Sequence, residues 1–295
     1  MKVAFLGLGA IGAPMAAHLS REPFELTVWN RTREKADVFA GEHTAQVAST
    51  PAEATRGAEF TITCLPSSRE VESILGGDSG VEETIAPGSM FIDCTSGDPA
   101  TSKRIAERLR AKNVDFVDAP VSGGVKGAVA GTLTIMCGGS SASIDRAKPV
   151  LEAFGKKIVR CGDIGAGDAV KAMNQALLAI HIWSAGEALA ALARIGVEAS
   201  VALEVINGSS GRSNTSENLF PERVLGRKYP RTFKLALLDK DVGIARQIVE
   251  EQGIDSPFID LAARLFRAAH AELGEEADHV EAVRIIEEHA GVRVS

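Results

Sequence analysis

The sequence predicts an α/β fold: a doubly wound parallel sheet in the first half, followed by an all-helical domain that a long helix joins to it. Three observations carry this. Short apolar runs alternate with amphipathic stretches as far as Gly162, the pattern of successive βαβ units. A glycine-rich turn, Gly7-Leu8-Gly9-Ala10-Ile11-Gly12, stands between the first such run and the first helical stretch. After Gly162 the strand-like pattern stops and helical spacing continues to the end. The expected domains are residues 1–163 and 164–295.

In chain order, residues 3–6 read as a buried strand, 11–19 as a helix, 25–29 as a strand and 33–40 as a helix. Residues 60–65 form the next strand, stopped by Pro66, and 90–93 another. A helix over 100–111 leads to a strand at 114–118, and 132–137 and 158–161 read as strands near the sheet edge. From 168 to 194 neither proline nor alternation intervenes, which predicts a helix about 40 Å long. It is apolar nearly all round, so most of its faces are expected to be buried. Helices follow at 200–206, 236–252, 257–271 and 279–289.

Composition bounds the function. With 295 residues, 45% hydrophobic and 24% charged, the chain has the makeup of a soluble globular protein that needs no covalent staples. A net charge of −7 speaks against a nucleic-acid partner. Cys64, Cys94, Cys137 and Cys161 stand at or near the ends of apolar runs without Cys-x-x-Cys spacing. They read as buried thiols of a protein in a reducing compartment, and a cytoplasmic location is expected. The histidines show no ligand spacing, so no metal is expected. Lys2 and the apolar residues after it imitate a signal peptide, but the run is short and its glycines have another use. The most apolar later stretch, 172–192, is interrupted by Asn174, Gln175, His181 and Glu187, so no membrane partner is expected.

The glycine turn follows a strand and opens a helix, the context in which G-x-G-x-x-G binds a dinucleotide. Gly7 permits the tight turn, Gly9 lets the backbone approach a pyrophosphate, and Gly12 allows close helix–strand packing. Ala10 and Ile11 complete the turn, whose helix offers free N–H groups to phosphate. Such sites place an Asp or Glu after the second strand when they select NAD. Here Asn30-Arg31-Thr32 takes that place. No carboxylate repels a 2′-phosphate, Arg31 can pair with one, and Thr32 can add a hydroxyl, so NADP is favoured. Arg31 stacked on the adenine would instead leave NAD usable as well.

Two later segments carry chemistry. Asp118-Ala119-Pro120-Val121-Ser122-Gly123-Gly124 follows a strand at the sheet's carboxyl end, where ligands of open sheets bind. Its Ser-Gly-Gly turn can cradle a substrate carboxylate on backbone N–H groups, or can be a turn whose glycines serve positive φ alone. In Gly165-Ala166-Gly167-Asp168-Ala169-Val170-Lys171-Ala172-Met173-Asn174-Gln175, the side chains of Lys171, Asn174 and Gln175 share one helical face among apolar neighbours. Lost hydration would lower the pKa of such a lysine and make it a proton donor and acceptor near neutrality. The other reading is a lysine that snorkels to solvent.

Taken together, these segments resemble the β-hydroxyacid dehydrogenase family. The resemblance rests on the glycine turn, on Asp93-Cys94-Thr95-Ser96-Gly97-Asp98-Pro99, on 118–124 followed by Gly127 and Gly131, on 165–175, and on Leu238-Asp239-Lys240-Asp241-Val242. It covers the whole length. It implies a Rossmann-type domain, a long interdomain helix and a helical domain that mediates homo-oligomerisation, as a dimer or tetramer. It also implies roles. Lys171 matches the catalytic lysine, and Asn174 and Gln175 the pair that orients substrate. Ser122, Gly123 and Gly124 match the substrate-binding turn, Leu65, Pro66 and Ser96 match cofactor contacts, and Lys240 matches a lysine that reaches the cofactor. The sequence departs at Gln175, where relatives carry Asn, at Val242 for Leu, and at Thr95-Ser96, where relatives often carry Ser-Thr. The larger 6-phosphogluconate relatives carry His where Asn174 stands, which argues against a sugar-phosphate substrate.

The expected reaction is reversible oxidation of a small 3-hydroxy acid such as 3-hydroxyisobutyrate to its semialdehyde, with NADP or NAD. Reduction of glyoxylate, succinic semialdehyde or tartronate semialdehyde fits the same motifs, and a non-catalytic nucleotide-binding module is the rival from another class. Ser210, Arg212, Ser213 and Asn214 either shape specificity or form a plain loop. The reading requires the Lys171 amine to be held out of bulk water beside the bound pyridine ring.

Overall fold

The computed structural model describes residues 1–294. They form two compact units, Met1–Lys171 and a second beginning at Ala172.

The first unit is built on a nine-stranded sheet. Its strands are β1 (Lys2–Leu6), β2 (Glu25–Trp29), β3 (Gln46–Val47), β4 (Phe60–Thr63), β5 (Met90–Asp93), β6 (Asp115–Asp118), β7 (Val121–Ser122), β8 (Leu133–Gly138) and β9 (Gly155–Gly162). The order β3-β2-β1-β4-β5-β6 is parallel throughout. β8 then runs antiparallel to β6 and β7, and β9 pairs with β8 in parallel. The chain reverses its direction of winding between β1 and β4, and a crevice at the carboxyl ends of the strands opens at such a point. Both faces are covered, as a parallel sheet requires. Phe5, Met15, Ile62 and Ile92 pack on one side, and Leu6, Val71, Phe91 and Ile105 on the other.

The helices of this unit are α1 (Gly12–Ala17), α2 (Arg33–Glu42), α3 (Pro51–Thr55), α4 (Ser68–Leu75), α5 (Pro99–Arg110), α6 (Gly124–Ala130) and α7 (Ser141–Leu151). Two expected boundaries move for identifiable reasons. α1 stops at Ala17 because the His18 and Leu19 amides bond three residues back, to Met15 and Ala16, and tighten the last turn. β4 stops at Thr63 because the Leu65 amide leaves the ladder and donates to the Thr95 hydroxyl at 3.1 Å.

α8 (Ala166–Arg194) begins in the first unit and continues in the second. The second unit adds α9 (Ala199–Asn207), a π-helical segment Thr215–Leu225, α10 (Leu235–Glu251), α11 (Pro257–Leu273), a 3₁₀ turn His279–Ala282 and α12 (Val283–Ala290). Its core includes Ile182, Leu189, Phe220, Leu238, Phe266 and Val283. The single helix expected over 279–289 is thus a capped 3₁₀ turn followed by an α-helix. Asp278 supplies the cap, accepting from the Val280 amide while Glu281 reaches back to the Asp278 amide.

α8 corrects one expectation, that most of its faces are buried. By length and composition it is apolar enough to cross a membrane, because its polar residues are too spread out to break the run. Only 33% of its most apolar stretch is buried within the chain, so it is not enclosed on most faces. Leu177 lies outward on it at 55% exposure, as does Phe258 on α11 at 73%.

Two carboxylates show how differently the units treat charge. Burial pushes the Asp93 carboxyl up to about 6, against hydrogen bonds from Thr95 and Thr63 that favour its charged form. Burial also raises Asp278, but hydrogen bonding from His279 and the charges of His279 and Arg223 outweigh it and hold this carboxyl below its ordinary value. Arg223 Nη1 lies 3.0 Å from Asp278 Oδ1.

Candidate functional site

The glycine turn sits at the carboxyl end of β1. Gly7 has φ +108°, and its amide donates to the Trp29 carbonyl at 2.9 Å. A Cβ on Gly7 would lie 2.4 Å from the Cys64 carbonyl oxygen, and one on Gly12 would lie 2.0 Å from the Gly7 carbonyl oxygen. Both glycines are therefore required by the protein's own packing. Gly9 is different: a Cβ there would meet nothing within 4 Å. Gly9 and Ala10 are exposed, Ile11 is half-buried, and among the described residues no side chain caps α1. Open space over Gly9 beside uncapped helix N–H groups fits a pyrophosphate.

Asn30 ties β2 to this turn. Its Oδ1 accepts from the Leu8 amide at 2.9 Å and its Nδ2 donates to the Thr32 carbonyl at 2.9 Å. Arg31 and Thr32 beyond it are exposed, and no ion pair holds Arg31 among the described residues. Leu65 and Pro66 follow β4, and Thr95 and Ser96 follow β5, the neighbouring strand. Thr95 is buried, with its hydroxyl engaged by the Leu65 amide, whereas Ser96 is half-buried. These residues share one end of the sheet. The apolar hollow of about 730 Å³ beside α1 and α2, lined by Leu8, Pro14, Val38 and Phe39 among others, contains none of the predicted site residues.

Ser122 ends β7, opposite Thr134 of β8, and is half-buried. Gly123 and Gly124 have φ +136° and +62° and are exposed. A Cβ on Gly124 would meet nothing within 4 Å. This turn therefore also presents open backbone.

Lys171 lies one turn into α8 and is 8% exposed, so the snorkelling alternative does not hold. The first turn of that helix is pinned to the sheet. Asp118 accepts from the amides of Gly165 at 2.7 Å and Asp168 at 3.1 Å. Asp168 accepts from the Gly97 amide at 3.2 Å and the Ser102 hydroxyl at 2.6 Å. Burial raises the pKa of both carboxyls, and Asp168 is pushed further by the charges of Asp118 and Asp93. Neither aspartate stands out from spacing. The available signal is a carboxylate at the end of a buried strand and another in the first turn of an apolar helix.

The second unit gathers a different set. Asn174 is exposed rather than on the buried face of α8, and its Nδ2 donates to Gln175 Oε1 at 3.2 Å. Gln175 is buried and its Nε2 donates to Asp241 Oδ2 at 3.1 Å. Lys240 Nζ lies 2.9 Å from Asp241 Oδ1. Asp241 thus links the predicted residues Gln175 and Lys240, a link that spacing does not reveal because α8 and α10 are far apart in sequence. Ser213 is half-buried and bonds to Ser216, Arg212 pairs with Glu217, and Ser210 and Asn214 are exposed.

Burial pushes the thiols of Cys64 and Cys137 up to about 12 and that of Cys94 well above its ordinary value. None of these is a nucleophile near neutrality. No group of three or more metal-ligating side chains occurs among the described residues.

The chain is similar to known proteins over its whole length. Residues 2–162 match the NAD-binding domain of 6-phosphogluconate dehydrogenase, and residues 165–286 match the NAD-binding domain of NADP-dependent 3-hydroxyisobutyrate dehydrogenase. The chain is 37% identical to the 3-hydroxyisobutyrate dehydrogenase of Pseudomonas aeruginosa, over 93% of each protein. It is 36% identical to the 2-(hydroxymethyl)glutarate dehydrogenase of Eubacterium barkeri, over 100% of this chain and 98% of that protein. Among solved structures, Mycobacterium tuberculosis 3-hydroxyisobutyrate dehydrogenase with L-serine superposes with a TM-score of 0.87 at 29% identity, covering 97% of this chain and 98% of that one.

Proposed function

Because this chain belongs to the β-hydroxyacid dehydrogenase family and is an NAD(P)-binding oxidoreductase, we propose that it oxidises a small 3-hydroxy acid to its semialdehyde with Lys171 as general acid and base. The observation that carries the reading is a buried lysine in the same unit as the dinucleotide turn. The acids named for the three similar proteins, 3-hydroxyisobutyrate, 2-(hydroxymethyl)glutarate and L-serine, share a hydroxymethyl carbon next to the carbon that bears a carboxylate. That shared fragment is the proposed substrate core, with 3-hydroxyisobutyrate the first acid to test.

The glycine turn would hold the pyrophosphate, Asn30, Arg31 and Thr32 the adenosine ribose, and Leu65, Pro66 and Ser96 the neighbouring cofactor atoms, with Lys240 as a further contact. When bound, NAD(P) supplies the hydride acceptor. Ser122, Gly123 and Gly124 anchor the carboxylate, and Asn174 and Gln175 orient the substrate. The unprotonated Lys171 amine takes the hydroxyl proton while the carbon–hydrogen bond breaks and the carbonyl forms. In reverse, the ammonium stabilises the developing alkoxide and then protonates it. Proton transfer of this kind contributes about 10² to 10⁴ in rate. Lys171→Ala should therefore abolish turnover, read at 340 nm with a panel of 3-hydroxy acids, while cofactor binding is retained. A variant that keeps most of its kcat would refute the role.

NADP is the proposed cofactor, supported by the exposed Arg31 and by the absence of a carboxylate at positions 30–32. We also propose a homo-oligomer, dimer or tetramer, supported by apolar side chains such as Leu177 and Phe258 left outward on the second unit. Sedimentation velocity should find one of these species, and a monomer at micromolar concentration would defeat the proposal.

A further inference from the structure

We propose that Asp118 and Asp168 are positioning residues for Lys171, two buried carboxylates that clamp the first turn of α8 onto the segments assigned above to substrate and cofactor. The inference rests on the reading of Lys171 as the proton-exchanging group.

The contacts run in two directions from one helical turn. Asp118 ends β6 and leads into the turn at Ser122. Its two oxygens are both taken by the helix backbone, Oδ1 by the Gly165 amide and Oδ2 by the Asp168 amide. The slot around this carboxylate exists only because two neighbours lack side chains. A Cβ on Gly138 would lie 2.4 Å from Asp118 Oδ1, and one on Gly167 would lie 2.7 Å from Oδ2 and 2.2 Å from the Met136 carbonyl oxygen. Asp168 points the other way. Its Oδ1 accepts from Gly97, the residue after Ser96, and its Oδ2 accepts from Ser102 of α5. Lys171 follows Asp168 by three residues, so the two share a helical face.

This arrangement is a costly way merely to anchor a helix. Asp118 is 0% and Asp168 1% exposed, and each carries a carboxylate out of water close to the other. A neutral Ser or Asn cap stabilises a helix start comparably. What the two-oxygen groups add is direction, because Asp118 and Asp168 each hold a separate partner at both oxygens. The turn cannot rotate or slide without breaking one of them, and a displacement of about 1 Å at a reacting group can cost on the order of 10²-fold in rate.

The donor pattern makes isosteric variants informative. Asp118→Asn sets an NH₂ group against one of two backbone N–H groups, so one contact must be lost. Asp168→Asn keeps its oxygen for Gly97 and offers its NH₂ to the Ser102 hydroxyl, which can turn to accept. In folded protein, Asp118→Asn and Asp168→Ala should lower kcat about 10- to 100-fold with cofactor affinity nearly unchanged, and Asp168→Asn should restore kcat. If the first two variants do not fold, Ser102→Ala carries the test and should lower kcat by a smaller factor. A second readout needs no substrate: in protein labelled with ¹⁵Nζ-lysine, the Lys171 resonance, identified by its loss in Lys171→Ala, should move in Asp118→Asn and in Asp168→Ala and keep its wild-type position in Asp168→Asn. Wild-type kcat and an unmoved resonance in folded Asp118→Asn and Asp168→Ala overturn the proposal. Turnover that survives in Lys171→Ala overturns the reading of the lysine instead, and the resonance then decides the clamp alone.

Discussion

Arg31 stands exposed beyond β2 with no ion-pair partner among the described residues, at the place where a carboxylate would exclude a 2′-phosphate. A hydrogen bond to a charged group is worth about 1.5–3 kcal/mol, so Arg31→Ala should weaken NADP binding by about 10- to 100-fold and NAD binding much less. Titration of both cofactors checks this, and equal losses would refute the phosphate contact. Residues with one strong chemical requirement were the legible ones. Gly7 and Gly12 could be assigned from spacing, and the structure shows the carbonyl oxygens that exclude any side chain there. Gln175 belonged on the buried face of α8, as its spacing from Lys171 implies, but Asn174 did not. Successive residues on a helix stand about 100° apart, so Asn174, one residue before the buried Gln175, is carried to the surface. Asp118 and Asp168 were illegible as a pair because all their partners but the Ser102 hydroxyl are backbone amides, which leave no mark in a sequence.

Among the elements, α5 shows how far local signals reach. Asp98 accepts from the Thr101 amide at 2.8 Å, and Pro99 opens the helix where its missing N–H is harmless. Asp98→Ala should destabilise the protein by about 1 kcal/mol, measured by denaturant titration, without changing the denaturant slope. No measurable loss would show that the cap carries nothing. The long periodic strands and helices were predicted within a few residues. The sequence pattern does not announce α3, α4, α6 or α7. α3 and α6 are too short to show periodicity, and α7 carries Pro149 near its end. The π-helical segment Thr215–Leu225 contains Pro221 and likewise reads as a break. Its conformation follows from packing, with Phe220 and Val224 in the core of the second unit.

At the scale of the molecule, the two units answer acid differently. Asp93 has a folded pKa above its unfolded one, so its burial penalises the first unit at neutral pH and the penalty fades as pH falls through about 6. Asp118 and Asp168 act in the same direction. Asp278 has a folded pKa below its unfolded one, so the stability it contributes to the second unit is present above about pH 4 and lost below. His270, raised by its hydrogen bond to Asp239, stabilises the second unit once protonated and has made that contribution before pH 6 is reached. Calorimetry between pH 6 and pH 3 should therefore resolve a transition of the first unit that rises and then a transition of the second that falls. Asp93→Asn should remove part of the rise. A single transition that falls throughout would contradict this. The alternation of strands and helices made the sheet unit legible from sequence, but the sign of this response was not, since it depends on which neighbours each aspartate meets in space. Asp278, with its arginine and histidine, is thus an acid-labile fastening in the carboxyl-terminal half: on entry into an acid compartment that half loses the support of this carboxyl while the sheet half is relieved of a burden.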